Sequence, residues 1–230
     1  MKRHLLCTGA LAAAVVVTTG SAARADATPT GIELGLRTGY AIPLGSSVGG
    51  PGDNSLSNTF NGVLPIWVDA GYRLNPNLFL GAYFQYGIAF LNTSKAGSSG
   101  VNCNASGVSC SGSDLMFGVQ AHYHFMPDGT IDPWAGLGIG YEIANVSVSQ
   151  GGQSASVSQS GFQFVNFQAG GDYKATPNLG IGPFVMFSLG QYGSCSFGGA
   201  ASSLGNCSIQ QTAMHEWLTF GVRGVYDINL

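Results

Sequence analysis

The sequence predicts an all-β protein, an eight-stranded antiparallel up-and-down transmembrane β-barrel, and three observations carry that prediction. Apolar residues alternate with polar or small ones at period two along most of the chain, the repeat of a strand with two unlike faces. Short Pro/Asn/Asp turns alternate with long Gly/Ser/Asn-rich links. Charged residues make up only 8% of the chain, beside 36 glycines and an 11% aromatic share. That charge density is about a third of what a soluble surface carries, so water alone would solvate such a chain poorly.

Residues 1–25 read as an export signal. Lys2 and Arg3 give a basic start, Leu5 to Val17 a short apolar stretch, and Ala23-Arg24-Ala25 a small-residue cleavage site, so residues 26–230 are expected to form the barrel. Neither the apolar stretch nor anything after it reaches the roughly 18 apolar residues of a spanning helix, which leaves strands to cross any membrane. Loss of the signal leaves five basic against eleven acidic residues, a formal charge of −6. Five scattered cations cannot assemble a basic patch, which excludes nucleic acid as a partner.

Eight segments alternate: Gly31 to Leu44, Val63 to Leu74, Leu78 to Phe90, Asp114 to Phe125, Pro133 to Ile143, Phe162 to Lys174, Leu179 to Tyr192 and Met214 to Leu230. Each reaches the roughly 9–11 residues that a tilted membrane strand needs. Leu74 to Asn77, Met126 to Ile131 and Ala175 to Asn178 are the tight turns. Gly45 to Gly62, Leu91 to Ser113, Asn145 to Gly161 and Gly193 to Gln211 are expected as four long loops. Cys7 leaves with the signal. Cys103, Cys110, Cys195 and Cys207 form an even set in an exported chain and allow three connectivities. Cys103 with Cys110 and Cys195 with Cys207 is the preferred one, because each pair closes a short segment of one loop.

The two faces differ in kind. Leu64, Ile66, Val68, Ala70 and Tyr72 oppose Trp67, Asp69, Gly71 and Arg73, and the second face holds Gly, Gln and isolated ions rather than the dense Lys, Glu and Thr of a solvent face. It is therefore expected to line a lumen, with Glu33, Arg37, Asp69, Arg73, Asp114, His122, His124, Glu142, Asp172, Lys174, Arg223 and Asp227 forming a paired polar network there. Aromatics fall near strand ends on the apolar face: Tyr72, Tyr123, Phe125, Tyr173 and Tyr226 on the turn side, and Tyr86, Phe90, Tyr141 and Tyr192 on the loop side. Two such girdles mark water boundaries about 25 Å apart. Glycines 35, 39, 81, 136, 138, 140 and 182 face inward, where they are expected to leave unfilled volume.

The segments Leu64 to Arg73, Gly81 to Gly87, Pro133 to Tyr141 and Gly182-Pro183-Phe184 resemble the small outer-membrane β-barrel domain family of Gram-negative bacteria, with its OmpW-like and OmpX-like members. The similarity spans nearly the whole mature chain. It implies placement in the outer membrane, contact with its lipid, delivery by the barrel assembly machinery, and a monomer. The last strand resembles the terminal strand which that machinery reads, although it ends in Leu230 rather than Phe or Trp.

Motifs for chemistry are sparse. Gly136 to Gly140 lacks the following helix of a nucleotide loop. His122 and His124 share a face without a clear third metal ligand, and no Cys-x-x-Cys completes a zinc site. His215-Glu216 lacks a positioned serine, which weakens the reading as a lipid A-modifying enzyme. No catalytic residue, metal site or cofactor is therefore expected. The expected role is a non-enzymatic envelope protein displaying four loops, and the alternative is a narrow channel for small or hydrophobic solutes.

Overall fold

The computed structural model describes residues 30–93 and 103–229; the expected export signal, its cleavage site and Leu230 lie outside the described residues. Eight strands, β1 (Gly31–Gly45), β2 (Phe60–Asn75), β3 (Leu78–Leu91), β4 (Val108–His124), β5 (Ile131–Gln150), β6 (Gln153–Thr176), β7 (Leu179–Gly199) and β8 (Met214–Asn229), close into one barrel. Every neighbouring pair is antiparallel, and the ring is sealed by β1 on β8, from Gly31 opposite Asn229 to Gly45 opposite His215. Closure leaves no strand edge within the ring, and that is what permits a sheet to sit in an apolar medium.

Two tight turns are built alike. Asn77 accepts the His124 amide at 2.7 Å and returns its side-chain amide to the His124 carbonyl at 2.7 Å. Asn178 does the same with Asp227, at 2.9 Å each way. Each turn thus pins the end of the next descending strand, with proline setting its first dihedral.

Polarity is inverted relative to a soluble barrel. Leu36, Ile139 and Val222 on the outside are 58%, 57% and 56% exposed, whereas Glu33, His122 and Arg223 inside are fully buried. The exposed apolar side chains form a continuous belt around the ring, with Tyr72, Tyr123, Tyr173 and Tyr226 at its turn end and Tyr86 and Phe90 at its loop end. One expected girdle residue is misplaced. Tyr192 is fully buried and points inward, because it shares parity with Phe184, Met186 and Ser188 on β7.

At the loop end the segment Asn145 to Gly161 is not a loop. Strands β5 and β6 continue through it to Gln150 and Gln153, joined by Gly151-Gly152 with φ of 58° and 82°. Two left-handed residues make the hairpin turn whose twist matches the flanking strands, and only glycine adopts them freely. With 24 residues, β6 is roughly 80 Å long at ~3.3 Å per residue, more than twice a membrane crossing. β4 and β7 rise beside the hairpin, so four strands stand above the ring. Serines occupy one face of this sheet, with Ser111, Ser147 and Ser156 in one row, while Val146, Val157 and Phe197 are aligned on the other. Cys103 is bonded to Cys110 and Cys195 to Cys207. Asp53 is the only charged residue in segments 46–59, 103–113, 145–161 and 193–213.

Candidate functional site: the filled lumen

The inward positions of all eight strands converge on one space, and the structure fills it in layers. Nearest the turns lies an ionic layer. Glu33 receives Arg73 Nε at 2.8 Å and Arg223 Nη2 at 2.5 Å, one guanidinium on each carboxylate oxygen. Asp227 lies 3.5 Å from Arg73, Asp172 lies 3.4 Å from Arg223, and His124 Nδ1 is 2.8 Å from Asp132. Lys174 is half-buried at the mouth, where its ammonium donates to the Pro127 carbonyl. Charges removed from water survive only when paired in this way, since an unpaired ion in a low-dielectric interior costs several kcal/mol or more.

Above it Arg37 donates to Asp69 at 2.9 Å and to Gln168 at 2.5 Å. Its guanidinium lies between Trp67 and Trp134, 5.2 Å and 5.5 Å from the ring centres, while Arg223 stacks 4.5 Å over Trp134. His122 lies within the same layer, 3.4 Å from Arg37 and stacked on Phe79. Next comes a neutral amide chain. Tyr83 donates to Gln163 at 2.6 Å, Asn166 to the same oxygen at 2.7 Å, and Gln168 to Asn166 at 2.7 Å and Gln120 at 3.1 Å.

Toward the loops, Asp114 accepts Gln85 at 2.9 Å. Glu142 accepts the Tyr192 hydroxyl, the Trp217 indole at 3.0 Å and pairs with His215 at 3.1 Å. The Tyr192 and His215 rings stack 4.0 Å apart. Leu56, Phe60, Val63 and Trp217 then cover the top with apolar surface, each at most 3% exposed.

Residues placed here without being singled out in the sequence are Tyr83, Gln85, Gln120, Asp132, Gln163, Asn166, Gln168 and Trp217, and Tyr192 joins them from its expected place in the outer girdle. Parity was the signal for Gln120, Asp132, Asn166, Gln168 and Trp217, which share a strand face with His122, Glu142, Asp172 and Arg223. β3 and β7 carry no charge to mark the inward face, and the register shift between Gln163 and Val165 puts Gln163 out of phase with Asp172. Neutral amides go unnoticed when only ions are sought.

The inward glycines do not leave unfilled volume. A methyl group at Gly136 would lie 2.5 Å from the His122 ring, at Gly138 2.7 Å from the Asn166 amide, and at Gly81 2.5 Å from the Phe79 ring. Large side chains from neighbouring strands already occupy these niches. The lumen cavity bordered by Arg73, Asp132, Asp172 and Asp227 measures about 10 Å³, room for roughly one water.

Glu33, His122 and His124 could bring one ligand atom each within 4.8 Å of one another. Both Glu33 oxygens face guanidiniums and His124 Nδ1 faces Asp132, so a metal ion there would meet Arg37, Arg73 and Arg223 at close range. The chemistry of the donor set does not fit a cation. His215 is buried against Glu142, while Glu216 occupies the opposite face of β8, so the two do not form one site. A separate apolar cavity of about 410 Å³ lies at the loop end, lined by Leu91, Cys103, Val146, Val148, Val157 and Ala201.

No family model and no curated protein matches the chain. Among solved structures it is similar to Neisserial surface protein A, at 17% identity over 86% of this chain and 97% of that one, with a TM-score of 0.47. It is similar to Ail, the attachment invasion locus protein of Yersinia pestis, at 15% identity over 84% and 98%, TM-score 0.39. It is similar to the outer membrane protein OprG of Pseudomonas aeruginosa, at 10% identity over 87% and 99%, TM-score 0.41. These are likenesses of fold.

Proposed function

We propose that this chain is an integral outer-membrane barrel with a filled lumen, a non-enzymatic scaffold that holds three loops and a tall hairpin outside the cell for envelope support or surface contact. The observation that carries this reading is the inverted polarity. A belt of exposed leucine, isoleucine, valine and phenylalanine surrounds a core that contains three arginines and their carboxylates. In water both halves of that arrangement would be unfavourable; in lipid both are satisfied. Membrane lipid is then the partner of the belt, and the barrel assembly machinery the partner of the terminal strand. The short turns face the periplasm and the long segments face outside, the asymmetry of such barrels.

Fractionation of expressing cells, with unheated and heated gel electrophoresis of each fraction, tests it. A heat-modifiable band in the outer-membrane fraction is expected, and a soluble periplasmic protein of fixed mobility would overturn the assignment of faces. Planar-bilayer recordings are expected to show no steady conductance, because ion pairs and amides occupy the lumen from turn end to loop end.

A second reading rests on the cavity under Val146 and Val157. Its volume lies in the range of small-ligand pockets. It would hold a small apolar solute without passing it through the ring. A Val157→Trp substitution is expected to abolish saturable binding of an apolar fluorophore while leaving heat-modifiable mobility unchanged.

A further inference from the structure

The barrel contains its own pattern twice. Gly35-Leu36-Arg37-Thr38-Gly39-Tyr40-Ala41-Ile42 on β1 matches Gly136-Leu137-Gly138-Ile139-Gly140-Tyr141-Glu142-Ile143 on β5. The turn Tyr72-Arg73-Leu74-Asn75-Pro76-Asn77-Leu78 matches Tyr173-Lys174-Ala175-Thr176-Pro177-Asn178-Leu179 at the same spacing, and Phe117-Gly118-Val119-Gln120-Ala121-His122-Tyr123 on β4 matches Phe220-Gly221-Val222-Arg223-Gly224-Val225-Tyr226 on β8.

The register repeats with the sequence. Gly39 faces Gly221 and Tyr40 faces Phe220 across the β1–β8 seam; their counterparts Gly140 and Gly118, and Tyr141 and Phe117, face each other between β5 and β4. Tyr72 opposite Leu80 returns as Tyr173 opposite Ile181. The asparagine clamps repeat as well, Asn77 on His124 and Asn178 on Asp227. Four strands followed by four equivalent strands therefore close on each other about a pseudo-twofold axis along the barrel.

The two faces have diverged differently. Inside, where one shared space must be filled, the repeat positions of Arg37 and Asp69 in the second half are glycines, Gly138 and Gly170. Outside, Leu36, Tyr40, Ile42, Tyr72, Phe117, Val119 and Tyr123 return as the same residue types. Lipid asks only for apolarity, so retained identity on β4 and β8 points to recognition of a specific strip.

We propose that β4 carries a second, internal copy of the terminal recognition strand. Phe117, Val119, Tyr123 and Phe125 present outward the strip that Phe220, Val222, Tyr226 and Ile228 present at the end of the chain, and the partner is the apparatus that takes an outer-membrane barrel by its last strand. This rests on the outer-membrane reading above, which is tested separately by the mobility of the natural chain.

Because Gly31 pairs with Asn229, the natural ends can be joined by a short linker and the ring reopened elsewhere without loss of a strand. One full-length permutant, behind an export leader, begins at Met126 and ends at Phe125, so that β4 becomes the last strand. A second, also full length, begins at Pro76 and ends at Asn75 on β2, so that Asn77 and its clamp on His124 are kept. The first is expected to reach the outer membrane as a heat-modifiable band at the natural level, and the second several-fold less. Tyr123→Ala with Phe125→Ala is expected to lower the first permutant's yield several-fold while sparing the natural order, in which β8 serves.

Equal assembly of the two permutants would overturn the proposal, as would equal damage by the double substitution in both orders. Refolding in detergent micelles separates folding from recognition. A first permutant that folds there and fails in cells refutes the internal strand, and one that fails in both refutes the equivalence of the halves.

Discussion

At the residue scale the interior is organised around paired guanidinium groups. Arg37→Ala would leave Asp69 buried beside two indoles without its cation, with an expected loss of roughly 3–5 kcal/mol in urea unfolding followed by gel mobility. Replacing both partners, as Arg37→Met with Asp69→Leu, is expected to cost far less, since no orphaned charge remains. Gly136→Val would drive a side chain into the His122 ring, and a loss of about 1–3 kcal/mol is expected in the same assay. Trp67, Trp134 and Trp217 are each at most 2% exposed and face inward. Brominated acyl chains are therefore expected to quench tryptophan emission weakly in reconstituted vesicles; strong quenching would place the indoles on the lipid side.

Single elements show how far the sequence could be read. The ring strands were legible because one face meets lipid and the other a packed lumen, so Leu34, Leu36 and Thr38 alternate with Glu33, Gly35 and Arg37 without interruption. The upper parts of β5 and β6 were not. Serine and glycine have low strand propensity and favour turns, and Ser147, Ser149, Ser154 and Ser156 are held in strands by pairing along the whole hairpin. The Gly151-Gly152 turn was the available signal. Substituting both by alanine forces two side chains into the left-handed region at roughly 1–2 kcal/mol each. Limited proteolysis is expected to cut the hairpin tip of that variant first while the ring stays heat-modifiable. Tyr192 was misread for a different reason, a slip of one in parity, and its inward side chain completes the Glu142 cluster.

At the scale of the whole molecule, the cross-links and the ring are separable. Cys103–Cys110 and Cys195–Cys207 close segments outside the ring, with sequence separations of 7 and 12. Reduction is therefore expected to shift the mobility of the heated form and to preserve the compact unheated band. Loss of the compact band on reduction would mean that the loops hold the barrel shut. The inside of the ring was legible as a set of charges, whereas its partners were not, because which arginine meets which carboxylate depends on register and on the glycine niches that admit each side chain.

The four long links carry only two charges in sequence, Asp53 and Lys95, of opposite sign, so the outward end has little net charge for salt to screen. Contact made through this end would rest on short-range hydrogen bonding and shape, neither of which decays with the Debye length. Adhesion of expressing cells to any surface it recognises is therefore expected to hold constant as ionic strength rises, where contact through a charged tip would fade.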